Sequence, residues 1–99
     1  MPYIPRIQRP RLDAFKTLLK EIEVSLTAGE LNYLISSLVH AWLQKKEKIG
    51  YAEMNEVMGV LECMKLELYR QVISPYEDKK KNDNGSVSNL DDNSFDHMR

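Results

Sequence analysis

Apolar residues recur along this chain at steps of three and four, the period of helices that bury one face. Leu12, Phe15, Leu19, Ile22 and Leu26 lay out a first helix from Arg11, with Lys16, Lys20, Glu21 and Glu23 on its other side. Thr27-Ala28-Gly29-Glu30 then reads as a capping box. In it the threonine hydroxyl accepts from the Glu30 amide, and the Glu30 carboxylate accepts from the Thr27 amide. Leu31, Leu34, Ile35, Leu38, Ala41 and Trp42 continue as a second helix over residues 28–48, with Gly50 as its stop. Lys45, Lys46 and Lys48 fall at its C-terminal end, where positive charge favours the helix dipole.

A third helix is predicted to begin at Tyr51 or Ala52 and to end before Pro75. Met54, Val57, Met58, Leu61, Met64, Leu68 and Val72 form its main stripe, while Val60, Cys63 and Leu66 add apolar surface away from it. A peripheral helix needs one apolar face, so this one is over-supplied. Gly59 in mid-helix costs about 1 kcal/mol against alanine unless another backbone comes close. Both features predict a central helix or one shared across a subunit interface. The expected architecture is all-α, a three-helix antiparallel bundle over residues 11–76. Its core is small enough that a homo-oligomer is expected to complete it.

The two ends read differently. Residues 1–10, MPYIPRIQRP, hold three prolines and predict an extended basic arm, with Pro10 suited to a first helical turn. Residues 77–99 are polar and turn-rich, with isolated Val87, Leu90, Phe95 and Met98, and predict a disordered tail. That tail holds six acids and four bases, so residues 1–76 carry a net +1 within a chain of net −1. Such a balance gives no reason to expect nucleic-acid binding. No apolar stretch approaches the roughly 20 residues of a membrane span, and no signal peptide opens the chain. The single cysteine, Cys63, excludes an intramolecular disulfide and fits a reducing compartment; it reads as a small buried hydrophobe.

Catalytic and metal chemistry find little to work with. His40 and Cys63 lie on different helices, and His97 in the tail, with no ligand pair at metal spacing. Glu62 beside Cys63 offers the thiol no activating positive charge. The four glycines are scattered and form no phosphate loop. The expectation is therefore a protein without enzyme activity, cofactor or metal. Two polar stripes remain: Tyr33, Ser37, His40 and Gln44 on the second helix, and Asn55, Gly59, Glu62 and Tyr69 on the third. Facing one another across subunits they would line a polar cleft; singly, each matches the solvated side of any amphipathic helix. Arg6, Arg9 and Arg11, with Tyr3 beside them, suit phosphate recognition or simple surface solvation.

The opening MPYI, GELNYLI at residues 29–35, VLECMKLELYR at 60–70 and PYED at 75–78 together resemble a family of short, functionally uncharacterised proteins encoded by tailed phages and bacteria. The resemblance spans residues 1 to about 85 and carries no catalytic or ligand residues with it. It implies a phage or prophage setting and a helical protein of the bacterial cytoplasm. Fold-level analogy to small helical phage proteins then gives the functional expectation. It is a counter-defence protein that sequesters a cyclic-nucleotide or ADP-ribose-derived immune signal at a subunit interface. Tyr3, Arg6, Arg9, Arg11, Tyr33, His40, Asn55, Glu62 and Tyr69 are the candidate ligand-binding residues. The alternative is a protein-interaction module that docks a host or phage protein through the apolar surface of helix three.

Overall fold

The computed structural model describes residues 2–22 and 25–92, and every regular element among them is helical. A 3₁₀ turn at Arg6–Gln8 leads into α1 (Pro10–Lys20), followed by α2 (Ala28–Gln44) and α3 (Tyr51–Leu68). A π-turn at Tyr69–Ile73 then joins α3 to α4 (Ser74–Asn84). The chain divides into two units, Met1–Cys63 and Met64–Arg99.

In the first unit the arm is extended only as far as Pro5. The Gln8 amide then bonds back to the Pro5 carbonyl at 2.9 Å, and the Arg9 amide to that of Arg6 at 3.2 Å. Pro10 opens α1, where its missing N–H is no loss. α1 stops at Lys20 and does not run to Leu26 as the apolar spacing had implied. The β-branched Ile22 disfavours continuation, and the cap at Thr27 starts a new helix. The expected position of Glu23 lies outside the described residues.

The capping box forms as read: the Glu30 amide donates to Thr27 Oγ1 at 3.1 Å and the Thr27 amide to Glu30 Oε1 at 2.9 Å. The Thr27 amide, and after it the Thr27 hydroxyl, favour the charged carboxylate and hold the Glu30 pKa below its usual value. α2 ends at Gln44, so Lys45, Lys46 and Lys48 lie beyond its last turn. Lys46 folds back instead over the Trp42 ring, 4.1 Å from the centroid. Gly50 opens α3 as well as following α2: its amide donates to Glu53 Oε2 at 2.9 Å. A hydrogen bond from the Glu53 backbone itself, and after it this Gly50 bond, hold the Glu53 pKa below its usual value.

α2 and α3 share a thin seam of side chains, where Leu61 of α3 borders a hollow with Ile35 and Val39 of α2, while their backbones stay apart. Ile35, Val39 and Leu43 on one, and Val57 and Leu61 on the other, are partly covered. Nowhere among the described residues is an apolar side chain fully buried. Within the first unit, the 3₁₀ turn is the one element whose backbone comes close to that of α1. Phe15, Leu18 and Leu19 are each more than 60% exposed. The all-helical class is as read, but the apolar stripes of α1 to α3 are left largely open to solvent. Cys63, read as buried, is exposed. Gly59 has no neighbour within 4 Å of where a Cβ would sit, so among the described residues no other backbone approaches it.

α3 ends at Leu68, before Pro75 as expected, but helical structure does not stop there. A proline inside an α-helix lacks the N–H and its ring clashes with the carbonyl four residues earlier, here Gln71. The π-turn falls on that carbonyl. The Ser74 amide reaches back to Tyr69, five residues, and the wider turn makes room for the proline ring. Helical structure then continues to Asn84, through residues assigned by composition to a disordered tail. Gly85, at φ 90°, ends it in a conformation that favours glycine. The Asp91 carboxylate accepts the Val87 and Ser88 amides at 3.1 and 2.9 Å, which lowers its pKa. Lys81 Nζ donates to the Asp91 carbonyl at 2.9 Å. The tail positions Phe95, His97 and Met98 lie outside the described residues.

Candidate functional site

The candidate arm residues fall into two groups. Arg9 is committed locally: its Nε donates to the Ile4 carbonyl at 3.0 Å and holds the arm against the start of α1. This explains why a basic residue serves there without a ligand. Arg6 and Arg11 are exposed and engage no partner among the described residues. Tyr3 stands on the extended part of the arm, about half exposed.

On α2, Tyr33 and His40 lie seven residues apart on one face but line different hollows. Tyr33, with Leu26, Gly29, Glu30 and Leu34, borders a shallow depression of about 310 Å³. His40 borders another of about 270 Å³, with Asn32, Ile35, Ser36 and Val39 of the same helix and Leu61 of α3. Pockets that enclose a drug-sized ligand run from roughly 300 to 1,000 Å³. Neither hollow is large enough to enclose a dinucleotide, and neither contains an arginine or lysine.

Asn55 and Glu62 do not join them. Glu62 follows Leu61 by one residue, a turn of about 100° away from the α2 seam, and Asn55 lies seven residues before it on the same side. The two polar stripes therefore do not face one another within a chain. Tyr69 belongs to the second unit, where its hydroxyl donates to Glu77 Oε1 at 2.8 Å. Donating to a carboxylate, and sitting beside its charge, raises the Tyr69 pKa. Each of the two hollows thus takes in one of these nine residues.

Sequence reading passed over several contacts the structure makes. Asn32 and Ser36, one turn apart, join His40 in lining its hollow, and Ser36 Oγ donates to Asn32 Oδ1 at 3.1 Å. Glu67, the one buried charged residue described, accepts from Arg70 and from Gln71 Nε2 at 3.3 Å. The i,i+3 and i,i+4 spacing of Glu67 to Arg70 and Gln71 was the available signal. It marks local helix support around the π-turn. No group of three or more His, Cys, Asp or Glu among the described residues could hold a metal ion. No helix among them is long and apolar enough to cross a membrane.

What the geometry defines is an all-helical chain whose distinguishing surface, among the described residues, is exposed apolar helix. The chain belongs to the family described as Domain of unknown function (DUF6899), which covers residues 1–87 and so takes in every helix described here. No curated protein and no solved structure matches it.

Proposed function

We propose that this chain is a non-enzymatic binding protein of phage or prophage origin that works as a homo-oligomer. The observation that carries the reading is the absence of any buried apolar side chain among the described residues, beside stripes of leucine, methionine and phenylalanine on three helices. Fully burying one such side chain stabilises by about 1.5–3 kcal/mol. Association costs roughly 4–15 kcal/mol in lost motional freedom. Several stripes buried together exceed that cost; one alone does not. Oligomerisation completes the bundle core that a single copy leaves open.

A nucleotide-derived signal is the ligand class this reading favours, because the Arg6 and Arg11 side chains stand exposed and without partners among the described residues, a few positions along the chain from Tyr3. On this reading a site using Tyr33, His40, Asn55, Glu62 and Tyr69 is assembled between copies, where it sequesters the signal. Docking of a host or phage protein on the same apolar surface is the competing use. The test is titration of the full-length protein with cyclic dinucleotides and cyclic ADP-ribose at rising salt. Binding that weakens steeply with ionic strength, and again in Arg6→Ala/Arg11→Ala, supports sequestration. Absence of binding to every signal class, with a host or phage protein retained in high salt, overturns it in favour of the interaction module.

A further inference from the structure

The end of α4 places Asn84, its last residue, directly before Gly85, and this pair has a covalent chemistry of its own. The side-chain amide of an asparagine lies within ring-closing reach of the next residue's backbone nitrogen. A glycine in that place has no side chain to hinder the approach. Asn84 and Gly85 are both exposed, and nothing lies within 4 Å of where a Cβ of Gly85 would sit. Asn32, Asn55, Asn82 and Asn89 are exposed too, but a residue with a side chain follows each of them.

We propose that Asn84–Gly85 is a deamidation site, closed while the last turn of α4 stands and open when that turn frays. The Gly85 nitrogen gives up its proton to solvent base and attacks Asn84 Cγ. A C–N bond forms, the side-chain nitrogen leaves as ammonia, and a succinimide closes. Water opens the ring at either carbonyl, giving aspartate or, with the main chain rerouted through the side chain, isoaspartate. One water is consumed and one ammonia released.

The fold holds the nucleophile back. The Gly85 amide donates to the Lys81 carbonyl at 2.7 Å, so the proton that must leave is already bonded. That turn is pinned from outside as well. Lys81 Nζ donates to the Asp91 carbonyl at 2.9 Å, and the Asp91 carboxylate caps the Val87 and Ser88 amides. Helix ends are where native structure opens most readily, so the opening of this one sets the rate. The product carries a new carboxylate next to Asp83 at the C-terminal end of the helix, where the dipole disfavours negative charge. Isoaspartate also lengthens the main chain and breaks the register of the Gly85–Lys81 bond. The change runs one way and loosens α4, whatever the state of assembly.

The experiment ages full-length protein in mildly alkaline buffer, with and without guanidinium chloride, and follows each asparagine by tandem mass spectrometry of its peptides. Asn84 is expected to react first in both, and at least about tenfold faster in denaturant, where the last turn no longer protects it. Lys81→Met removes the bond to Asp91 and should speed Asn84 at least about threefold in native buffer, the scale of one lost hydrogen bond. Hydrogen exchange at the Gly85 amide should quicken in step, since the same opening frees its proton. Deamidation in denaturant that spreads evenly over Asn82, Asn84 and Asn89 overturns the site. Equal Asn84 rates with and without denaturant overturn the gate, as does a folded Lys81→Met protein that reacts no faster than the parent. Should Lys81→Met lose its helical circular dichroism, the parent's rates with and without denaturant decide alone.

Discussion

The α2 capping box supplies an energy that can be worked from its contacts alone. Thr27→Ala removes the hydroxyl that accepts the Glu30 amide at 3.1 Å and leaves the reciprocal arm, Thr27 N–H to Glu30, without its counterpart. Losing an N-cap threonine costs about 0.5–2 kcal/mol, typically about 1. No part of that loss comes from packing, since α2 has no buried side chain at this end. Urea unfolding followed at 222 nm should therefore show a decrease of about 1 kcal/mol with an unchanged denaturant slope. The effect should depend on pH with a definite sign. Hydrogen bonds hold the folded-state Glu30 pKa below its ordinary 4.5. The carboxylate's stabilisation is thus complete above that value and is lost as pH falls through the lower folded pKa. The gap between parent and variant should narrow as the medium becomes more acidic than pH 4.5. Hydrogen exchange at the Glu30 amide gives an independent reading, slow in the parent and fast in the variant. Equal stabilities with unchanged exchange at Glu30 would refute the reasoning.

Three further outcomes follow from the packing. Leu61→Ala should cost about 1–2 kcal/mol in urea unfolding, below the 2–5 of a fully buried leucine, because the α2–α3 seam covers Leu61 only in part; a loss above 4 would mean a closed core. Pro75→Ala should return the π-turn to α-helix and stabilise by about 1–2 kcal/mol, less than the roughly 3 that an unrelieved interior proline costs. Scalar couplings across hydrogen bonds should show the Ser74 amide moving from the Tyr69 to the Arg70 carbonyl, and an unmoved bond would count against the proline as its cause. Phe15→Ala should leave the helical content unchanged and weaken self-association, since the side chain is about two-thirds exposed in a single copy; unaltered association in sedimentation equilibrium would remove α1 from the interface.

The elements were legible in the sequence where local chemistry decides them. The Thr27–Glu30 box, Pro10 at a helix start and the opening of α3 at Tyr51 all come from residues within one turn of each other. Where two local rules compete, spacing alone misled. The Ile22 and Leu26 period pointed to a longer α1, but the β-branched Ile22 and the next cap intervene. Pro75 pointed to a stop, yet a π-turn absorbs it, and no residue pattern announces such a turn. The polar tail composition hid an α4 supported by Tyr69–Glu77 and the Lys81–Asp91 contact, each spanning eight to ten residues. The candidate site was least legible. Helical spacing says which residues share a face, as Tyr33 and His40 do, but not which faces meet. The direction in which Asn55 and Glu62 point away from α2 depends on which side of α3 takes the seam. The surplus of apolar residues on α3 was readable, and it is the surface the chain leaves uncovered.

Sedimentation equilibrium of the full-length protein across a concentration series tests the central claim most directly. A folded, helical species at a whole-number multiple of 11.5 kDa, dissociating only on dilution or with loss of helix, is the predicted result. A cooperatively unfolding helical protein that stays at 11.5 kDa at every concentration would contradict it.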